Sequence, residues 1–136
     1  FSRCCTPVPG DDIVGFITRG QGVSIHRCAC ANYQRSIDRP EELGRWISVG
    51  WAESISETYT TSVKVISRQR SGLVMDVATV LNSLNAKVRT LNASDIDGGK
   101  SFVSITLEVK SLEDLRTIIN KLTGISGVRE VTRNGD

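Results

Sequence analysis

The chain has 136 residues, 39% of them hydrophobic and 24% charged, and a net charge of +2. That is a globular composition with room for one domain or two small ones, and it gives no general pull toward nucleic acid. No stretch approaches the roughly 18 apolar residues of a membrane span, and the opening residues show no signal-peptide pattern, so a cytoplasmic protein is expected. Residue 1 is Phe and the only Met is Met75, which suggests a piece of a longer protein whose activity lies upstream.

Residues 1–55 carry six Arg (Arg3, Arg19, Arg27, Arg35, Arg39, Arg45), six acids and no Lys. Arg is preferred where a planar fork must stack or grip phosphate, although equal numbers of acids also describe an ordinary solvated surface. "VPGD" (8–11) reads as a turn. "IVGFITRG" and "GVSIH" read as two strands of a hairpin around the Arg19–Gly22 turn. "RPEELG" looks like a single helical turn, and "RWISVGWAE" alternates as a strand. The polar "SISETYTT" suits a linker.

Beyond it the pattern is cleaner. "VKVI" (63–66) is a strand, and "SGLVMDVATVLNSLN" places Leu73, Val77, Val80, Leu81 and Leu84 at helical spacing. "AKVRTLNAS" is a second strand, "DGG" (97–99) a hairpin turn, and "SFVSITLEV" alternates Val103, Ile105, Leu107 and Val109. In "SLEDLRTIINKLTG", Ser111 and Asp114 suggest a capping box. Leu112, Leu115, Ile118, Ile119 and Leu122 form the apolar stripe, and Gly124 stands where a C′ glycine would. "GVREVT" closes as a fourth strand. The order βαββαβ is a ferredoxin-like layer. The expected class is α+β: a small β-rich cysteine module over 1–55, a linker over 56–61 and a ferredoxin-like domain over 62–136.

All four Cys fall within residues 4–30. In a cytosolic protein such a group points to metal or thiol chemistry before disulfides. Zinc takes four ligands, usually Cys and His, and the candidates are Cys4, Cys5, His26, Cys28 and Cys30. On a straight strand His26 and Cys30 would lie about 13 Å apart, so the chain must turn after His26. Cys4 and Cys5 would diverge if extended, leaving one of them structural. A module of this size rarely folds without a staple or a docking partner, which favours metal; buried thiols and redox chemistry remain alternatives. A Cys/His hydrolase would need an orienting third group and an oxyanion site, which one His among crowded thiols does not supply.

"CCTPVPGDDIVGFITRGQGVSIHRCAC" closely resembles the cysteine-containing C-terminal module of the Rel/SpoT-type (p)ppGpp synthetase–hydrolases. Cys4, Cys5, Pro7, Pro9 to Asp11, Ile13, Gly15, Thr18, Gly20, Gly22, His26, Arg27 and Cys30 match its pattern. "SRQRSGLVMDVATVLNSLNAKVRTLNA" resembles the ACT domain that follows it. The resemblance implies a regulatory tail rather than an enzyme, with the catalytic domains elsewhere in the protein. It further implies contact with ribosomal RNA on the ribosome, for which Arg19 and Arg27 are the candidates. It also implies a homodimer through the ACT domain and a bound amino acid. The family usually has Asp before the last Cys, where this chain has Ala29 and an extra thiol at Cys28.

The amino-acid site is expected at the start of the first ACT helix. Backbone N–H groups there, around Ser71, Gly72, Leu73 and Val74, lack intrahelical partners and sit at the positive end of the helix dipole, a cradle for a carboxylate. Gly72 permits close approach. Asn92 on the second strand offers an amide, and Val74 or Met75 suits a branched aliphatic side chain such as that of valine or isoleucine. In the plainer reading Gly72 merely starts a helix, Asn92 bonds along an edge, Met75 fills the core and Asp76 complements the dipole.

Overall fold

The computed structural model describes residues 1–20, 22–39, 44–51, 58–96 and 98–134. The expected turn at "RPEELG" falls largely on residues 40–43 and that at "DGG" partly on Asp97, outside the described residues.

The first half forms a three-stranded antiparallel sheet in the order β2-β1-β3, from β1 (Ile13–Thr18), β2 (Gly22–Arg27) and β3 (Trp46–Ser48). The two strands pair as a hairpin, Thr18 with Gly22 and Ile13 with Arg27, and the expected Arg19–Gly22 turn includes residue 21, outside the described residues. A short helix, α1 (Ala31–Ser36), follows β2. Trp46 packs against Phe16, Tyr33 and His26, with ring centroids 4.7, 4.8 and 5.5 Å away, and so ties β1, α1 and β2 together.

The second half is a four-stranded antiparallel sheet in the order β5-β6-β4-β7, with two helices on one face. Its elements are β4 (Tyr59–Arg68), α2 (Leu73–Ser83), β5 (Lys87–Ile96), β6 (Lys100–Val109), α3 (Leu112–Thr123) and β7 (Val128–Arg133). The βαββαβ order is as expected. Residues 59–61, expected in the linker, are strand instead: Thr61 continues the buried alternation of Val63 and Val65, and Tyr59 pairs with Val109.

Alternation along β4 and β6 places Val63, Val65, Val103, Ile105 and Leu107 beneath Leu73, Val77, Leu81, Leu115 and Leu122 of the helices. Full burial of each such side chain contributes about 1.5–3 kcal/mol. At the start of α3 the Asp114 N–H donates to Ser111 Oγ, and the Lys110 N–H donates to Asp114 Oδ2. Gly124 does not end this helix in the left-handed form: its φ is −77°, and the reversal falls at Gly127, φ +89°. The chain takes one further short turn before β7, which moves the glycine requirement along.

The halves interlock through residues 6–11. Val8 is fully buried in the core of the second half. Pro9 O accepts from the Leu112 N–H at 2.7 Å and so satisfies one of the donors that open α3. Gly10 has φ +106°, and a Cβ there would stand 3.0 Å from Leu112 Cβ, so only glycine lets the turn lie against the helix. Trp51 Nε1 donates to Asp11 O at 2.9 Å, and Phe1, Trp51 and Tyr59 form a cluster of rings beside it.

Candidate functional site

Four candidate ligands converge. Cys4 Sγ lies 3.3 Å from His26 Nδ1, 3.5 Å from Cys30 Sγ and 3.9 Å from Cys5 Sγ. Cys5 Sγ is 3.9 Å from His26 Nδ1, and all four ligand atoms fall within 4.8 Å of one another. Local structure explains the convergence. Residues 2–6 form a turn, with the Thr6 N–H donating to Ser2 O at 3.0 Å, so the adjacent Cys4 and Cys5 do not diverge as an extended chain would make them. His26 sits near the end of β2. The chain then turns, with the Cys30 N–H donating to Arg27 O at 2.9 Å, and this brings Cys30 back as the N-cap of α1.

Cys28 lies outside the group. Its backbone is engaged in that turn, the N–H donating to Asp12 O and the carbonyl accepting from Gln34 Nε2. The extra thiol therefore does not join the four.

The donor set suits zinc. A zinc–sulfur distance of about 2.3 Å in a four-ligand site implies ligand atoms about 3.8 Å apart; the four contacts of 3.3 to 3.9 Å bracket that spacing, and no pair exceeds 4.8 Å. His26 Nε2 lies 3.1 Å from Ser24 Oγ. With the proton on Nε2 donated to Ser24, the Nδ1 lone pair faces the sulfurs, the outer hydrogen bond that orients a metal-binding imidazole. Burial lowers the His26 pKa and so favours the neutral ring. Burial also pushes the Cys5 thiol up to about 12, reinforced by Cys30 and Cys4, against a lowering hydrogen bond from the Arg27 backbone. Burial acts in the same direction on Cys4, yet hydrogen bonds with Ser2, Asn32, Cys30 and Cys5 outweigh it and bring that thiol below its ordinary value.

The two arginines expected at RNA separate. Arg19 is exposed in the β1–β2 turn. Arg27 is only 5% exposed, donating Nε to Cys5 O at 3.0 Å and Nη2 to Asn134 O at 2.7 Å. Expected as a phosphate contact, it is instead an internal brace. Its position opposite Ile13, at the inner end of the hairpin, turns it toward the protein.

At the second candidate site Gly72 is the N-cap of α2 with φ +80°, and no side chain caps the helix. A Cβ on Gly72 would meet only Arg70 Nη1, at 3.7 Å. Ser71 is exposed, Leu73 is buried in the core, Val74 is 39% exposed and Met75 70% exposed. Arg70 braces the loop by donating to Ser126 O, Ser71 O and Asp76 Oδ2. Asn92 does not join these residues within one chain. It pairs with Ser104, which pairs with Lys64, and so lies on the helix-free face of the sheet. That register puts it about 10 Å sideways and about 13 Å along from the end of β4.

Sequence reasoning passed over Ser24, Thr6 and Asn134. Ser24 carried a usable signal, since it precedes His26 by two on the same strand face; the contacts of Asn134 with residues 3, 6 and 27 carried none.

A cysteine module locked onto a ferredoxin-like layer is the combination found in a known class. One family model, the RelA/SpoT RIS domain, matches residues 1–52, and a second, the ACT domain, matches residues 56–133. The chain is 36% identical over 136 residues to a GTP pyrophosphokinase of Escherichia coli K12, covering 98% of this chain and 18% of that protein. It is 33% identical to one of Streptomyces coelicolor, covering 98% of this chain and 15% of that protein. The crystal structure of the ACT domain from GTP pyrophosphokinase of Chlorobium tepidum superposes with a TM-score of 0.51 at 19% identity. It covers 57% of this chain and 99% of that one, a likeness of fold. The chain therefore belongs to the RelA/SpoT family, as its RIS–ACT region. It spans less than a fifth of the length of these relatives.

Proposed function

We propose that this chain is a C-terminal regulatory region controlling a (p)ppGpp synthetase–hydrolase, and that it carries no catalytic centre of its own. Its RIS module holds zinc through Cys4, Cys5, His26 and Cys30 and contacts ribosomal RNA, with Arg19 as the exposed cation. The zinc serves as a structural cross-link; the protein supplies three thiolates and a neutral imidazole oriented by Ser24. Residues 1–55 would form this module, 56–58 a linker and 59–136 the ACT domain, all working in the cytoplasm beside the catalytic domains.

The ACT domain binds a branched-chain amino acid such as valine or isoleucine. The observation that carries this is the uncapped start of α2. Its free amides and the nearby Arg70 suit a carboxylate, while Val74 and Met75 offer aliphatic surface. Asn92 would come from a second copy, because its own chain places it on the opposite face. Edge strand β5, which among the described residues pairs only with β6 and is exposed along nearly its whole length, supports a homodimer. Binding would then bias one arrangement of the tail over another. Calorimetry with valine and isoleucine tests it: saturable heat that disappears in Gly72→Asp is expected, and silence in the parent chain rules out sensing.

A second reading has its own support. Arg70 spends its guanidinium on the loop itself, in bonds to Ser126 O, Ser71 O and Asp76 Oδ2. In that reading the ACT domain is a scaffold and the tail docks on ribosomal RNA alone.

A further inference from the structure

The turn that carries Cys4 and Cys5 is also the segment that grips the end of the ACT sheet. Asn134, one residue beyond β7, is held by the cysteine module at three atoms, while its own N–H donates to Ser62 O at 3.3 Å within the ACT sheet. Its carbonyl accepts from Arg27 Nη2 at 2.7 Å, its Oδ1 accepts from Thr6 Oγ1 at 2.8 Å, and its Nδ2 donates to Arg3 O at 3.1 Å. Arg27 is tied in turn to a candidate ligand: its backbone N–H donates to Cys5 Sγ at 3.3 Å and its Nε donates to Cys5 O at 3.0 Å.

Thr6, next to Cys5, has φ +41°. A β-branched residue adopts that conformation only when its surroundings impose it. Those surroundings come from both halves. Thr6 Oγ1 lies 2.8 Å from Thr61 Oγ1 on β4, and Thr6 O accepts from Arg133 Nη2 at 3.2 Å. Two residues further on, Val8 and Pro9 enter the ACT core and the start of α3.

We propose that the cysteine centre is a clasp: zinc on Cys4, Cys5, His26 and Cys30 holds the Arg3–Thr6 turn in the shape that grips Asn134, so metal occupancy and docking of the RIS module on the ACT domain are linked. The proposal rests on the zinc reading above and adds a consequence to it. A ligand that prefers the docked turn favours docking, and docking raises the affinity for that ligand by the same factor. Metal loss frees the turn, releases Asn134 and loosens residues 6–11 from α3.

Two measurements on the whole chain test this. The first follows amide exchange by NMR with zinc bound and after chelation. The Leu112 N–H, which reports the contact with Pro9, is expected to exchange at least tenfold faster without zinc, while Ile105 in the centre of β6 is unchanged. The second compares zinc affinity, by competition with a chelating dye, in Asn134→Ala and Thr61→Val. Both residues lie outside the ligand set and bond no ligand atom, and each change is expected to weaken zinc roughly tenfold through the coupling of docking to metal binding. One equivalent of zinc with unaltered Leu112 exchange and unaltered affinity in both variants overturns the linkage and leaves the zinc reading standing. A chain that binds no zinc overturns the zinc reading, and the clasp with it.

Discussion

Asp11, in the turn before β1, and Arg133, the last residue of β7, form a two-point ion pair across the junction of the halves. Nη1 donates to Oδ1 at 2.8 Å and Nη2 donates to Oδ2 at 3.0 Å, with both side chains 7% exposed. A third bond to the carboxylate, from the Val8 N–H to Oδ2 at 2.8 Å, holds the turn itself. Removing one member of such a pair strands the other charge in a dry site, a loss of about 3–5 kcal/mol. Asp11→Ala is therefore expected to lower unfolding free energy by that amount in urea titration. The double change Asp11→Ala with Arg133→Met should recover much of it. A single-mutant loss under about 1 kcal/mol would mean that water reaches the pair.

For the cysteine centre, elemental analysis of the purified chain is expected to find about one zinc per molecule. His26→Ala and Cys30→Ser should each reduce that more than tenfold, whereas Cys28→Ser should leave it intact, because Cys28 stands outside the converging four. Equal losses in all three variants would assign the centre wrongly.

The arginines give opposite expectations. Arg19→Ala should weaken binding to ribosomal RNA and lessen the salt dependence by about one unit of slope, the signature of a single phosphate contact. Arg27→Ala should act on stability instead, since it removes one buried and one part-buried hydrogen bond, each to a backbone carbonyl. A loss of about 2–4 kcal/mol in thermal or urea unfolding is expected. Folding at parent stability, with RNA binding weakened, would return Arg27 to the surface.

Pairing through β5 can be tested apart from ligand binding. Val88 and Ile96 are 39% and 38% exposed near the two ends of that strand. Val88→Lys with Ile96→Lys is expected to shift the chain toward monomer in light scattering while the circular dichroism stays the same. A dimer that survives both charges is held by some other surface.

Much of the ACT half was legible because its signals are local. Val103, Ile105, Leu107 and Val109 alternate, the stripe from Leu112 to Leu122 repeats at helical spacing, and Ser111 and Asp114 mark a helix start. Each of these depends on residues a few positions apart. Where local rules compete the sequence misleads: a hydroxyl such as that of Thr61 suits a polar linker, yet it is buried and finds its partner in Thr6. Gly124 stands where a reversal would be expected, but the reversal falls at Gly127. The charge of Arg27 and its place in a motif suit an RNA contact, but neither reports direction.

By itself the sequence determined the family, the order of strands and helices, the buried faces of the ACT layer and the set of residues able to bind metal. Alternation, helical spacing and residue chemistry are written within short stretches of chain. Only the tertiary structure decided which thiols converge, that Arg27 is a brace, that Asn92 is remote from Gly72 in one chain and that Asp11 reaches Arg133. Those relations join residues up to 122 positions apart, as between Asp11 and Arg133. Their geometry depends on how a turn, two sheets and a helix end come to rest against one another, which no local pattern encodes.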